Sequence, residues 1–314
     1  MADLQIVGLG MAVLDVLIRL REMPSWERGG GFSALRLDGG GPVGTAMVAA
    51  ARLGARVGFV GTAGNDQLAE LKLASFVQDG VDLSRLVRRD RPEDQVVLVY
   101  VDEQTGERVF AGLRGLERRP LLPEELDRDY ITSAEFLHLE GFHTQAALQA
   151  AQWMRAAGKR VCLDGSRTDG RPLQPHMTEL VHHVDILICG TGFGRSLTGR
   201  ADLWEAGEAI LGLGPQIVVQ TEGKDGSYTT TASERFHLPA FDVQVVDTTG
   251  AGDVFHGAYL VGLLHGWDLR SVGLFATAVS ALKCAQLGGR RGIPRFNDVI
   301  AFLEAHSIHL PQGA

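Results

Sequence analysis

Residues 247–253 read Asp247-Thr248-Thr249-Gly250-Ala251-Gly252-Asp253, and an apolar stretch opening with Val254-Phe255 follows. A strand-like run at 243–246 feeds this turn, and the pattern predicts a helix over about 251–265. The glycines leave backbone N–H groups bare at a helix N-terminus, which is a ready anion site. Asp253 puts a carboxylate into the first turn of that helix. A carboxylate inside an anion site is costly to ionise, so a reaction must call for it. Accepting the proton of a hydroxyl that attacks a phosphate is such a reaction.

Two other glycine-rich segments bear on that chemistry. Gly39-Gly40-Gly41-Pro42-Val43-Gly44 opens a predicted helix and matches GxGxxG on paper. A dinucleotide fold needs that loop directly after its first strand, with an acid at the end of the next strand. Here the next strand, 57–60, ends in Gly61, and Asp66 comes too late. Gly8-Leu9-Gly10 lacks a third glycine, and no GxxxxGK[ST] occurs. Alone, 39–44 is a tight turn; beside 247–253 it reads as close backbone approach to a small ligand. Residues 220–227, Gln-Thr-Glu-Gly-Lys-Asp-Gly-Ser, alone form an ordinary turn. Beside a phosphate-binding helix they offer a place for a nucleotide's ribose and phosphates.

These loops need elements to position them. Short apolar strands are expected at 4–9, 57–60, 136–139, 160–163, 186–189 and 216–220. Helical patterns lie near 45–53, 68–78, 146–157, 175–181 and 203–213, and the last third turns helical at 251–265, 269–286 and 297–305. That alternation predicts an α/β protein of three layers, α/β/α, with a mostly parallel central sheet. The runs at 13–20 and 32–37 and a hairpin within 94–113 do not fit between crossover helices. They predict a small second sheet that projects as a lid or an oligomer interface.

The chain has 314 residues, 45% hydrophobic and 22% charged, with net charge −8. That suits one large domain spanning 1–314. The acidic balance and the lack of a basic block argue against a nucleic-acid partner. Arg88-Arg89 and Arg118-Arg119 read as solvated surface, whereas Arg290-Arg291 follows Gly288-Gly289 and is harder to dismiss. Cys162, Cys189 and Cys284 lack metal-like spacing and read as buried free thiols of a reducing compartment. No apolar stretch reaches membrane-spanning length, so a cytoplasmic protein without a membrane partner is expected.

Together these segments resemble the phosphofructokinase-B, or ribokinase-like, family of carbohydrate kinases over essentially the whole chain. The run from Asp247 to Asp253, continued by Val254-Phe255-His256-Gly257-Ala258, is a highly specific signature. Gly40-Gly41, the run from Ala49 to Ala55, Val60-Gly61, Gly64 and Asp66 make a second one. Thr221, Gly223 and Gly226 fit the family's Thr-x-Gly-x-x-Gly nucleotide loop. The likeness is strongest to ketose-type members, including sulfofructose kinases and ketohexokinases. It rests on Gly39-Gly40-Gly41-Pro42, Thr45, and the tail Ala281-Leu282-Lys283-Cys284 with Gly288-Gly289-Arg290-Arg291-Gly292-Ile293-Pro294.

The resemblance implies a ribokinase-like fold with a β lid and an ATP- and magnesium-dependent sugar kinase. Asp253 is then the general base, and Gly250, Ala251 and Gly252 supply N–H donors to the transferring phosphoryl group. Asp15, Gly40, Gly41 and Thr45 are the sugar-binding candidates, with Arg36, Arg108 and Arg114 for an anionic substituent. Thr221, Gly223, Gly226 and Thr248 are the nucleotide-binding candidates, and Asp247 is the metal candidate. Two features depart from the family. Thr45 stands where many members carry asparagine, and a hydroxyl cannot make a bidentate contact. Gly190 and Phe193 stand where an Asn-x-x-Glu pair usually supports magnesium-bound water, so either the nucleotide phosphates and Asp247 hold magnesium, or Asp164 or Asp185 compensates. Asp164 follows a strand and points to the same crevice, whereas His143 and His256 are weaker candidates and His256, one turn into its helix, reads as a packing residue. A homodimer through the lid is expected. A nucleoside kinase and an inactive sugar-binding regulator stay open as alternatives.

Overall fold

The computed structural model describes residues 3–113, 119–168 and 171–311. Its strands are β1 (Ile6–Leu9), β2 (Val13–Leu20), β3 (Ala34–Gly40), β4 (Val57–Val60), β5 (Thr62–Ala63), β6 (Val87–Arg88) and β7 (Val96–Asp102). There follow β8 (Arg108–Gly112), β9 (Phe136–Leu139), β10 (Arg160–Gly165), β11 (Ile186–Gly190), β12 (Ile217–Thr221), β13 (Ser227–Thr231) and β14 (Arg235–Leu238). The helices are α1 (Pro42–Arg52), α2 (Gln67–Gln78), α3 (Arg128–Ser133), α4 (Thr144–Ala156) and α5 (Pro175–Val181). The chain continues through α6 (Phe193–Thr198), α7 (Leu203–Leu211), α8 (Ala251–Leu264), α9 (Leu269–Cys284) and α10 (Phe296–Ala305).

The main sheet has the order β14-β13-β12-β11-β10-β9-β1-β4. Pairing is parallel from β4 to β12, and β13 and β14 add an antiparallel edge. Successive side chains on a strand point to opposite faces, and here the two faces feed two cores. Ile6, Phe136, Cys162, Ile188 and Val219 pack with α1, α8 and α9 residues such as Met47, Val254 and Phe275. Val7, Leu137, Leu163, Leu187 and Val218 pack on the other face with α4 and α5 residues such as Met154 and Leu180. This is the expected three-layer α/β/α arrangement, with every crossover helix hiding one face of the sheet.

The lid is a separate sheet of order β3-β2-β7-β8. Strand β2 runs antiparallel to β3 and parallel to β7, while β7 and β8 form the hairpin. Leu17, Val99 and Val101 make its small core. Its third strand begins and ends later than the expected 32–37, running from Ala34 straight into the glycine turn at Gly40.

The run at 243–246 is not a strand. Val246 N–H donates to the Cys284 carbonyl, and the segment crosses as a strap instead of joining a ladder. Val243-Gln244-Val245 alternates like a strand sequence, but among the described residues β14, at the sheet margin, pairs only with β13, and 243–246 joins no ladder.

Candidate active site

Helix α8 starts at Gly250, whose φ of 75° is left-handed and suits glycine. The turn before it is braced from below. Asp247 is fully buried, and its Oδ1 accepts hydrogen bonds from Thr249 N–H (2.8 Å) and Thr249 Oγ1 (2.7 Å). Its Oδ2 accepts from Gly288 N–H at 2.9 Å, and Lys283 Nζ donates to the Asp247 carbonyl at 2.9 Å. Burial works to raise the Asp247 pKa, but Lys283 and these donors outweigh it and hold the carboxyl below its usual range. All this fits a loop-shaping residue and does not fit the direct magnesium ligand expected of Asp247. Of the three expected N–H donors, Ala251 N–H is engaged by the Thr248 carbonyl at 3.2 Å. A Cβ at Gly252 would point into open space, so a phosphate has room to approach there.

Asp253 is half-buried at the crevice floor. Burial pushes its pKa up, and the neighbouring Asp164 carboxylate adds to the rise; Lys283, Arg290 and Arg108 oppose it. Asp164, at the end of β10, is itself raised by burial and hydrogen-bonded by Ser166. Glu140 faces the same floor from the β9 side. Met11 N–H donates to its Oε1 at 2.8 Å, and burial with the charges of Asp164 and Asp253 takes its pKa up to about 8. The sequence reading missed Glu140. The signal was a period of two: His138 and Glu140 leave β9 on one face, as Cys162 and Asp164 do on β10.

On the sugar side, Asp15 lies opposite Asp38 across the β2–β3 pair. Two carboxylates so placed repel, and Arg290 offsets this. Arg290 is fully buried; its backbone N–H donates to Asp38 Oδ2 (3.0 Å), and its guanidinium donates to Gly40 O (2.6 Å) and Ser75 Oγ (2.9 Å). The guanidinium also stacks 4.3 Å above Phe76. Burial brings the Arg290 pKa down to about 10, while Asp38, Asp15 and Asp253 counteract. Burial, together with the Asp38 and Asp253 charges, lifts Asp15 to about 7, against the pull of Arg290. A Cβ at Gly40 would run into the Asp15 carboxylate, and Gly41 (φ 88°) would strike the Met11 carbonyl. These glycines let backbone pass beside Asp15.

Thr45 departs from its expected place. It is buried behind the turn, where its Oγ1 accepts a long 3.4 Å bond from Arg290 Nε. It therefore supports Arg290 and does not present its hydroxyl to the crevice. Among the lid arginines, Arg36 is exposed and bonds the Leu35 carbonyl (2.8 Å). Arg108 lies near enough to Asp253 to act on its charge, and Arg114 falls outside the described residues.

The nucleotide candidates come together. Thr221, Gly223, Gly226 and Thr248 line one cavity of about 450 Å³ with Ala251 and Gly252. Val243, Val245, Phe255 and Ala281 give it an apolar wall suited to a flat ring. The magnesium alternatives separate by position. Asp185 precedes β11 at the amino ends of the strands and accepts from Val161 N–H at 2.8 Å, far from the crevice side. Phe193 is buried in the core and offers no oxygen. Magnesium takes hard oxygens, commonly one or two carboxylates plus phosphate oxygens and water. Of the alternatives, Asp164 alone brings a carboxylate to the crevice floor, beside Asp253. His143 is buried, and its Nδ1 accepts from Leu121 N–H at 3.0 Å.

Residues 12–295 match the pfkB family of carbohydrate kinases. The 2-dehydro-3-deoxygluconokinase of Bacillus subtilis is 29% identical over 281 residues, covering 84% of this chain and 86% of that protein. A ribokinase structure from Thermotoga maritima superposes with a TM-score of 0.83 at 25% identity, over 96% of this chain and 99% of that one. A candidate ribokinase II from E. coli, in complex with ATP and magnesium, gives the same TM-score of 0.83 at 21% identity over 96% and 100% of the two chains. The chain belongs to the pfkB family and is a carbohydrate kinase with the ribokinase fold.

Proposed function

We propose that this kinase transfers the γ-phosphate of ATP to the primary hydroxyl of a ketose or ketose derivative, with Asp253 as general base. The observation that carries the reading is the place of Asp253. It opens α8 between the cavity that gathers Thr221, Gly223, Gly226 and Thr248 and the Asp15–Gly40–Gly41 wall. ATP lies in that cavity with its γ-phosphate at the Gly250–Gly252 turn. The sugar sits under the lid, with its hydroxyls on Asp15.

As the sugar oxygen bonds to the γ-phosphorus, its proton passes to Asp253 and the bond to the β-phosphate oxygen breaks, releasing ADP. Asp164, with the nucleotide's phosphate oxygens, would hold magnesium, which would supply neutralisation of phosphate charge, and Asp253 is left free to accept the proton. Lys283 acts through the loop: its ammonium on the Asp247 carbonyl keeps the N–H groups of the turn aimed at phosphate. Arg108 on the lid adds positive charge from above. The ketose assignment draws support from the Bacillus subtilis relative, whose name specifies a 2-dehydro sugar acid.

ADP release measured with a panel of ketoses, aldoses, sugar acids and nucleosides tests the reading. Turnover highest with a ketose or a 2-keto sugar acid is expected. Turnover confined to nucleosides, or ligand binding without turnover, would overturn it.

A further inference from the structure

One layer beneath the carboxylates of the crevice floor lies a group of side chains that the kinase reaction does not use. Cys162 stands directly opposite His138 in the β9–β10 register. Both point to the face covered by α8, where His256 follows Asp253 by one helical turn. All three are buried. One ligand-type atom from each lies within 4.8 Å of the other two. Neither ring nitrogen of His138 has a hydrogen-bond partner, nor does Nδ1 of His256. Buried imidazole nitrogens left unpaired are unfavourable, and such groups call for a bound water or ion.

We infer that His138, Cys162 and His256 form a buried binding site for a zinc-class d10 metal ion, held between the central sheet and α8. Zinc takes N and S ligands at roughly 2.0–2.3 Å in tetrahedral geometry, which places ligand atoms roughly 3.3–3.8 Å apart. Side-chain adjustments of about an ångström bring these three atoms into that range. The chemistry of the set agrees. Imidazole nitrogen and thiol sulfur are donor types that zinc takes, and both ring nitrogens of His138 and Nδ1 of His256 are unpaired.

Cys162 enters the site as a thiol, the ordinary form of a buried cysteine. On binding, the S–H bond breaks heterolytically, its electron pair forms the metal–sulfur bond, and the proton leaves to solvent. His256 turns its other nitrogen, Nε2, toward Asp164 Oδ1 at 3.9 Å. Metal-bound histidines commonly present their second nitrogen to a carboxylate, which fixes the ring. The three residues are buried, so the ion is loaded as the chain folds.

The test is metal uptake by the full chain. Protein refolded with excess Zn2+ and then desalted is expected to retain one zinc per chain and to melt at higher temperature as zinc is raised. Refolding with Co2+ instead is expected to give tetrahedral d–d absorption and a thiolate-to-cobalt charge-transfer band. Cys162→Val removes that band, and His138→Leu, a change to the residue type of its neighbours Leu137 and Leu139, removes stoichiometric retention. Wild-type protein that retains no metal after refolding overturns the inference without recourse to a variant. So does retention that His138→Leu leaves intact, or cobalt absorption without a thiolate band, because the ion then sits elsewhere.

Discussion

Asp253 and Asp164 sit close enough that a charge on one disfavours a charge on the other, and burial disfavours both. Asp253, the proposed general base, therefore holds its proton at pH values where an exposed aspartate has lost it. Below the raised pKa the base is protonated and cannot accept the hydroxyl proton, so kcat/KM is expected to climb with pH through a midpoint above the ordinary carboxylate range. Asp164→Asn removes the neighbouring charge but not the burial, and so moves that midpoint partway toward acid. Profiles of kcat/KM from about pH 5 to 9 for both proteins check this. A flat wild-type profile, or a midpoint unmoved by Asp164→Asn, contradicts the pairing. At this scale the sequence was legible in its turn geometry, as in the left-handed Gly250 before α8 and Asp253 in the helix's first turn. It was opaque where a role depends on what surrounds a side chain. Arg290, Lys283 and Glu140 are ordinary charged residues until the fold buries them around the crevice. Asp247 and Thr45 carry the right atoms but face inward.

The elements were legible from period and turn chemistry. Pro42 at the first turn of α1 and Gly199 as the left-handed cap of α6 mark ends that a sequence shows. The strap at 243–246 was misleading because alternation describes a half-buried extended chain, whether or not a ladder partner exists. No spacing rule announces how the lid is fastened. Lys72 on α2 and Glu93, just before β7, form an ion pair of 2.6 Å with both side chains essentially fully buried. Lys72 also donates to Thr62 O (3.0 Å), and Glu93 accepts from Gly64 N–H (2.9 Å) and Gln95 N–H (2.9 Å). This clasp joins a body helix to the strand that enters the lid. Lys72→Met leaves a buried carboxylate without its partner and is expected to cost about 3–5 kcal/mol of stability. Adding Glu93→Gln restores part of the loss. Denaturant unfolding of the two proteins measures it, and a Lys72→Met loss under about 1 kcal/mol would contradict a structural clasp.

The whole molecule stores acid groups at one crevice. Folding raises the pKa of Asp15 to about 7 and of Glu140 to about 8, and raises Asp164 and Asp253 as well. A carboxyl raised on folding favours the native state most at low pH, below its unfolded pKa. That contribution is lost as pH climbs through the folded value. The unliganded kinase is thus expected to melt at a lower temperature at about pH 8.5 than at about pH 6. A melting temperature that rises over this interval would show that the four groups do not share one site.

The lid leaves Val109 59% and Phe110 58% exposed on its edge strand, with Leu35 and Leu37 also exposed on β3. An apolar edge of this kind invites a second sheet, and we propose a dimer through it. Sedimentation of wild type as a dimer and of Phe110→Asp as a monomer is expected, while a monomeric wild type rules the dimer out.

The central claim is that Asp253 takes the proton in phosphoryl transfer. Its most direct measurement is single-turnover phosphorylation by Asp253→Asn, together with the Kd for ATP of the same protein. Folding and ATP affinity are expected to stay near wild type while the chemical step slows roughly 10²–10⁴-fold. A chemical step within a few-fold of wild type would contradict the assignment.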